Sequence, residues 1–328
     1  MKFTTNPFYL YPVRENMIDT LFVDRDEEIN LARGILRINF ENTFEVCAVI
    51  GGIGVGKSSF LYYVIKIAKE MGYKVKFYSN PDEFYSASKK NKKNIEINLI
   101  DDVGKISEDE ACKFYTFIEK YAGKQGIIFF SDIYKRDKKT LELRKFTVSQ
   151  NITLPQGLSK ERLKYFLEER MKKCLSPDEK FKFPFDEDAI EMANIRSTGN
   201  LRNFFNYTKN SWVIAAGGSK NKVSKKEMES GIIAIDRALL GSFDLIDYKI
   251  LWYSTQGEIN KSFLAHQCGI DSKTLENHIE DRLFELISQK RSGKDILITS
   301  IYRYIEGGQE ILDKILKGLG IHKVDLTG

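Results

Sequence analysis

Cysteine, proline and histidine are all scarce in this 328-residue chain, with 4, 6 and 3 copies. The cysteines (Cys47, Cys112, Cys174 and Cys268) lie far apart and form no C-x-x-C pair. That excludes a disulfide framework and fits free thiols in a reducing compartment. His266, Cys268 and His278 are close in sequence, but ordinary packing explains them better than metal ligation. No apolar run approaches the roughly 20 residues that cross a bilayer. The stretch Met1-Lys2-Phe3-Thr4-Thr5-Asn6-Pro7 lacks the apolar core of a secretory signal. The expectation is a cytoplasmic protein with no membrane partner. Internal repeats and low-complexity tracts are also missing.

What is present is ordinary in bulk, with 42% apolar and 30% charged residues. One core seldom grows past about 250 residues, so two or three domains are expected. The net charge of +5 is unevenly spread. Residues 228–328 hold 12 basic and 15 acidic side chains, whereas the part before them carries a balance of +8. Any field attracting nucleic acid should come mainly from that earlier part.

One stretch organises the rest. Gly51-Gly52-Ile53-Gly54-Val55-Gly56-Lys57-Ser58 matches G-x-x-x-x-G-K-[ST] at every fixed position. An apolar run, 45–50, precedes it as a buried parallel strand would, and a helical pattern over 59–69 follows. The glycines let backbone N–H groups curl round phosphate oxygens, and the helix start, with Ser59 in its first turn, adds unpaired amides. Lys57 would reach the β- and γ-phosphates of ATP, and the Ser58 hydroxyl would ligate Mg²⁺. Phe22 and Val23, in the lead 1–30, either line the base pocket or pack in the core.

A second signature follows at Ile95-Glu96-Ile97-Asn98-Leu99-Ile100-Asp101-Asp102, an apolar strand ending in two acids. Its end would deliver Asp101 to the Mg²⁺ shell beside Ser58. Asp102 stands where many ATPases place the glutamate that polarises the attacking water. Aspartate is one methylene shorter, so slow hydrolysis is expected. Residues 126–132 form another buried strand, whose terminal Asp132 either senses the γ-phosphate or caps the next turn. Arg144, with Arg136 behind it, is the candidate for an arginine that projects into a neighbouring subunit's nucleotide. The alternative is a solvated basic face. Residues 151–155 close the sheet.

A helical lid is expected over 156–216. Arg202 at a helix start opposes the macrodipole, which an anionic partner such as the γ-phosphate would explain. Gly217-Gly218-Ser219-Lys220-Asn221-Lys222 reads as a flexible linker, assigned to 217–227. Three helical segments follow: 245–253, 261–266, and one from about 272 to 287. Then comes a hairpin with its tip at 289–294, and a closing helix over 305–319. That order is a winged helix, assigned to 228–328.

Together, Walker A at 51–58, Walker B at 95–102, Ser131-Asp132 and Gly199-Asn200-Leu201-Arg202 resemble an AAA+ ATPase of the replication-initiator group. Ile100-Asp101-Asp102 and Phe130-Ser131-Asp132 are similar to the bacterial DnaA-type core. The lid motif and the winged helix are more similar to archaeal and eukaryotic origin-recognition initiators. The resemblance implies an α/β fold: a P-loop AAA+ parallel sheet in 1–155, a helical lid and a C-terminal winged-helix domain. It implies that Lys57, Ser58 and Asp101 hold ATP·Mg²⁺, with Asp132 and Arg202 as sensors. It also implies double-stranded DNA as a partner, assembly into a homo-oligomer, and a replication or recombination protein to recruit. Candidate DNA contacts are Lys89, Lys90, Lys92 and Lys93 along a ring axis, Lys290, Arg291 and Lys294 at the wing tip, and Lys261, Lys273 and Arg282 beside the helix-turn-helix. Glu276, Glu280, Asp281 and Glu285 on the third helix oppose a groove contact. Three readings stay open: an ATP-dependent DNA-binding initiator or helicase loader, a transposition-type regulator that coats DNA, and a scaffolding ATPase whose winged helix binds protein.

Overall fold

The computed structural model describes residues 2–37, 44–88, 96–121, 126–134, 136–155, 157–284, 286–292, 295–322 and 325–326. The chain forms two compact units. The first comprises Met1–Leu158, Tyr165–Phe181 and Asn200–Arg202; the second comprises Ser159–Lys164, Lys182–Gly199 and Asn203–Gly328.

The first unit begins with a lead carrying α1 (Ile18–Leu21) and α2 (Asp26–Leu36). The elements β1 (Phe44–Ile50), α3 (Lys57–Glu70), β2 (Val75–Tyr78), α4 (Pro81–Ser88) and β3 (Glu96–Ile100) follow. Then come α5 (Glu108–Tyr121), β4 (Gly126–Asp132), α6 (Lys138–Thr147), β5 (Gln150–Thr153) and α7 (Lys160–Cys174). The five strands pair in parallel in the order β2-β3-β4-β1-β5.

The strands are apolar on both faces because helices cover both, and the two-residue period divides the core. Cys47, Val49, Ile97, Leu99, Ile127 and Phe129 pack with Phe60, Leu61 and Val64 of α3. Val46, Ala48, Ile50, Ile100, Ile128 and Phe130 pack with Phe114, Tyr115 and Ile118 of α5. The lead is held by Val13, Ile18 and Leu21, which cluster with Cys174. Arg170 of α7, whose guanidinium burial pulls down to about 10, donates to the carbonyls of Leu21 and Tyr9.

The second unit holds α8 (Glu187–Ser197), α9 (Leu201–Gly217) from Asn203 onward, α10 (Lys225–Leu240), α11 (Leu245–Gln256), β6 (Ile259–Asn260) and α12 (Lys261–Cys268). It ends with α13 (Ser272–Asp281), β7 (Ile287–Ser292), β8 (Asp295–Ser300) and α14 (Gly308–Gly318). A three-stranded sheet runs β6-β8-β7, with α12 and α13 between β6 and β7 in the chain. Gly269, at φ 69, ends α12, and the Asp271 side chain caps α13 by accepting from the amides of Lys273 and Thr274.

Three expectations need correction. The segment 217–227 is not a free linker: Val223 is fully buried and pairs with Phe185, and 225–227 are the first turn of α10. The third winged-helix segment ends at Asp281 rather than near 287, so residues 289–292 belong to strand β7 instead of the tip. The expected core (1–155) and lid (156–216) do not correspond to the compact units, because Tyr165–Phe181 and Asn200–Arg202 of the lid belong with the core.

Candidate nucleotide site

Every parallel strand ends at the same edge of the first sheet, and the candidate residues follow β1, β3 and β4 there. Strand β1 runs into Gly51, whose N–H donates to the Asp132 carbonyl at 3.2 Å. Gly54 and Gly56 then take φ values of 81° and 98°, in the left-handed region that favours glycine. A Cβ on Gly56 would meet no heavy atom within 4 Å, so open space adjoins the loop there. Helix α3 begins at Lys57 with no acid in its first turn. Its unpaired amides and positive dipole end therefore keep their attraction for an anion.

The Lys57 ammonium donates to the carbonyls of Gly51 and Gly52 at 2.8 and 2.7 Å. Burial pulls its pKa down, Asp101, Asp132 and Asp102 oppose that, and the Arg202 charge adds to the fall. Arg202, exposed at the start of α9, thus lies within electrostatic reach of Lys57. Behind the loop, buried Arg25 donates to the Val55 carbonyl at 3.1 Å. The Ser59 hydroxyl accepts from the Val13 amide at 2.9 Å and ties the lead to α3.

Asp101 is buried at the end of β3, and the Ser131 hydroxyl donates to its Oδ1 at 2.5 Å. The same hydroxyl accepts from the Asp102 amide at 2.9 Å. One serine thus fixes the carboxylate of the first acid and the backbone of the second. Asp102 adopts φ 57°, and its carboxylate accepts from exposed Lys105 at 2.7 Å. The residues fit a magnesium nucleotide. Glycine amides, a helix start and two cations suit phosphates, and the Ser58 hydroxyl with the Asp101 carboxylate gives the oxygen ligands Mg²⁺ prefers.

Asp132 does not join this group. It is fully buried among Tyr115, Arg136 and Arg144. Its Oδ1 accepts from Arg136 Nε at 3.1 Å and Nη2 at 2.9 Å. Its Oδ2 accepts from Arg144 Nη1 at 3.0 Å and from the Tyr115 hydroxyl. Every strong acceptor position is taken, so the carboxylate is not free to meet a phosphate. Arg144 does not project outward either: Nη1 also donates to the Ile133 carbonyl at 2.8 Å. Strand alternation explains this, since Ile127, Phe129 and hence Ser131 face α3, while Ile128, Phe130 and Asp132 face α5. We expect Arg144→Ala to cost about 1.5–3 kcal/mol of stability by removing one charged hydrogen bond from buried Asp132, which keeps Arg136 and Tyr115, as thermal unfolding would show. Unchanged stability with lost turnover would restore a role between subunits.

Phe22, partly buried, stacks on Tyr63 of α3 at 4.9 Å, and Val23 is buried. Among the DNA candidates, Lys261 is paired with Glu276 at 3.1 Å. Lys273 on α13 and Lys290 and Arg291 on β7 are exposed. Lys89, Lys90, Lys92, Lys93 and Lys294 lie outside the described residues. Glu280 and Asp281 are exposed on α13.

The sheet order, the glycine loop between β1 and α3, and the acid ending β3 define the fold of the AAA+ ATPases. Solved structures that share it include the Aeropyrum pernix ORC2 protein in ADPNP–ADP complexes, 14% identical with TM-score 0.55 over 95% of this chain and 97% of that one. The Aeropyrum pernix ORC1 protein in complex with DNA is 12% identical with TM-score 0.55, covering 91% of this chain and 93% of that one. The Thermotoga maritima RuvB Holliday junction branch migration motor is 15% identical with TM-score 0.52, covering 95% and 99%. At these identities the likeness is one of fold. Comparison with protein-family models and with curated proteins gives no match. Among the described residues, no helix is long and apolar enough to cross a membrane.

Proposed function

We propose that this protein is an ATP-dependent DNA-binding switch of the replication-initiator or helicase-loader kind. The observation that carries the reading is the glycine loop itself: left-handed Gly54 and Gly56, Lys57 bridging the Gly51 and Gly52 carbonyls, and Asn200, two residues before Arg202, seated on the loop tip. Lys57 and the α3 amides hold the phosphates, Ser58 and Asp101 hold Mg²⁺, and Arg202 meets the terminal phosphate. Bound Mg²⁺ neutralises charge on the phosphate oxygens. Ser131 fixes the Asp101 carboxylate that would hold Mg²⁺ and would take the sensing place assigned to Asp132. Asp102 is short, left-handed and tied to Lys105, which supports slow hydrolysis suited to a timer.

DNA enters as the partner through the fold shared with a DNA-bound ORC1 protein and through Lys273, Lys290 and Arg291. Contacts of this kind go to phosphates and give affinity without sequence choice. One observation favours a second reading, in which the C-terminal helices bind protein. Lys261 is neutralised by Glu276, and exposed Glu280 and Asp281 would repel a DNA backbone.

Double-stranded DNA binding should be measured with and without ATP·Mg²⁺ across a salt series. We expect ATP to change the affinity, and log K to fall with log salt at a slope near −0.9 per phosphate contact. Binding that is absent, or indifferent to both ATP and salt, would favour the protein-docking reading.

A further inference from the structure

The loop tip Ile53-Gly54 is gripped by a side chain 147 positions away, Asn200, whose Nδ2 donates to the Ile53 carbonyl at 2.6 Å. The carboxamide also packs against the backbone of the next residue. A Cβ on Gly54 would lie 2.5 Å from Asn200 Oδ1 and 2.8 Å from Nδ2. Gly54 therefore needs to be glycine on two counts, its φ of 81° and this contact. Asn200 follows two left-handed residues, Thr198 at φ 52° and Gly199 at φ 72°. A β-branched residue is costly in that region and persists where the surroundings over-determine it. The backbone thus presents Asn200 at some cost.

We propose that Asn200 is a positioning residue for nucleotide: it fixes the Ile53–Gly54 peptide by donating to the Ile53 carbonyl, and so sets the phosphate affinity of the loop. The inference rests on the nucleotide-binding reading above. Its chemistry asks for asparagine. The Ile53 oxygen needs a donor, which aspartate lacks, and a carboxylate here would repel a triphosphate. Asn200 also acts differently from Arg202. A loop that cradles the α- and β-phosphates holds ADP and ATP alike, whereas a contact to the terminal phosphate tells them apart.

The test is to titrate ADP and ATP with Mg²⁺ into wild type, Asn200→Ala, Asn200→Asp and Arg202→Ala. Hydrolysis of bound ATP is then followed in single turnover. Asn200→Ala should weaken ADP and ATP equally, about five- to tenfold, with the single-turnover rate unchanged. Asn200→Asp, the same size without the donor, should weaken both further, and Arg202→Ala should weaken ATP selectively. A role confined to stability would shift the melting temperature and leave both dissociation constants alone, which overturns the proposal. Nucleotide affinities of Asn200→Asp within twofold of wild type overturn it as well. Wild type that binds neither nucleotide removes the underlying reading instead, and this inference with it.

Discussion

Asp236→Ala should cost the second unit about 3–5 kcal/mol, the effect of removing one partner of a buried ion pair. Asp236 of α10 is fully buried and takes a two-pronged contact from Arg196 of α8, at 2.7 Å from Nε and 2.8 Å from Nη2. The hydroxyls of Tyr207 and Tyr302 donate to the same carboxylate at 2.9 and 2.6 Å. The guanidinium lies over both rings, 5.3 and 5.5 Å from their centroids. Burial alone would lower the Arg196 pKa, but Asp236 and the two phenols outweigh it and hold it well above its ordinary value. Alanine at 236 would strand that charge and remove the carboxylate that two phenols share. Both tryptophans, Trp212 and Trp252, belong to this unit, so their emission in a urea titration reports its unfolding alone. The double variant Arg196→Met with Asp236→Leu should be more stable than Asp236→Ala, because it leaves no buried charge behind. A loss below about 1 kcal/mol in Asp236→Ala would show that the network carries no such weight.

The same network shows where sequence reading stops. Arg196 and Asp236 are 40 positions apart, and no local pattern joins them. By composition, Gly217-Gly218-Ser219 between them looks like a hinge, yet α8, α9, α10 and the turn after β8 share one buried carboxylate. The glycine loop was legible because its motif states its own geometry: glycines for left-handed turns, then a lysine at a helix start. The end of β4 shows a different failure. The period that puts Ile127 and Phe129 on the α3 face also puts Ser131 there and turns Asp132 toward Tyr115. That alternation was present in the residues. The acid drew the assignment away from it, because a carboxylate at a strand end looks more like chemistry than a serine does. Asn200 had no such local sign, since its role comes from folding back onto Gly54.

Lys57→Ala should weaken ATP binding about 10- to 150-fold, the equivalent of about 1.5–3 kcal/mol for hydrogen bonds to a charged group. The ammonium has three N–H donors, and two of them hold the Gly51 and Gly52 carbonyls. The third remains for a phosphate oxygen, so the charge can be spent on ligand without untying the loop. Alanine loses the charge and both loop contacts together. Lys57→Arg separates those effects: it keeps the charge, but a planar fork does not fit between two adjacent carbonyls. Arginine should therefore recover little of the affinity. Isothermal titration with ATP·Mg²⁺ gives the binding loss, and circular dichroism on heating checks that each variant folds. DNA affinity measured without nucleotide should match wild type, because Lys57 faces its own loop, while the response of DNA binding to ATP should vanish. Wild-type ATP affinity in Lys57→Ala would mean that the loop is not where nucleotide binds. An ATP-responsive DNA affinity in a variant that binds no ATP would place the switch elsewhere in the chain.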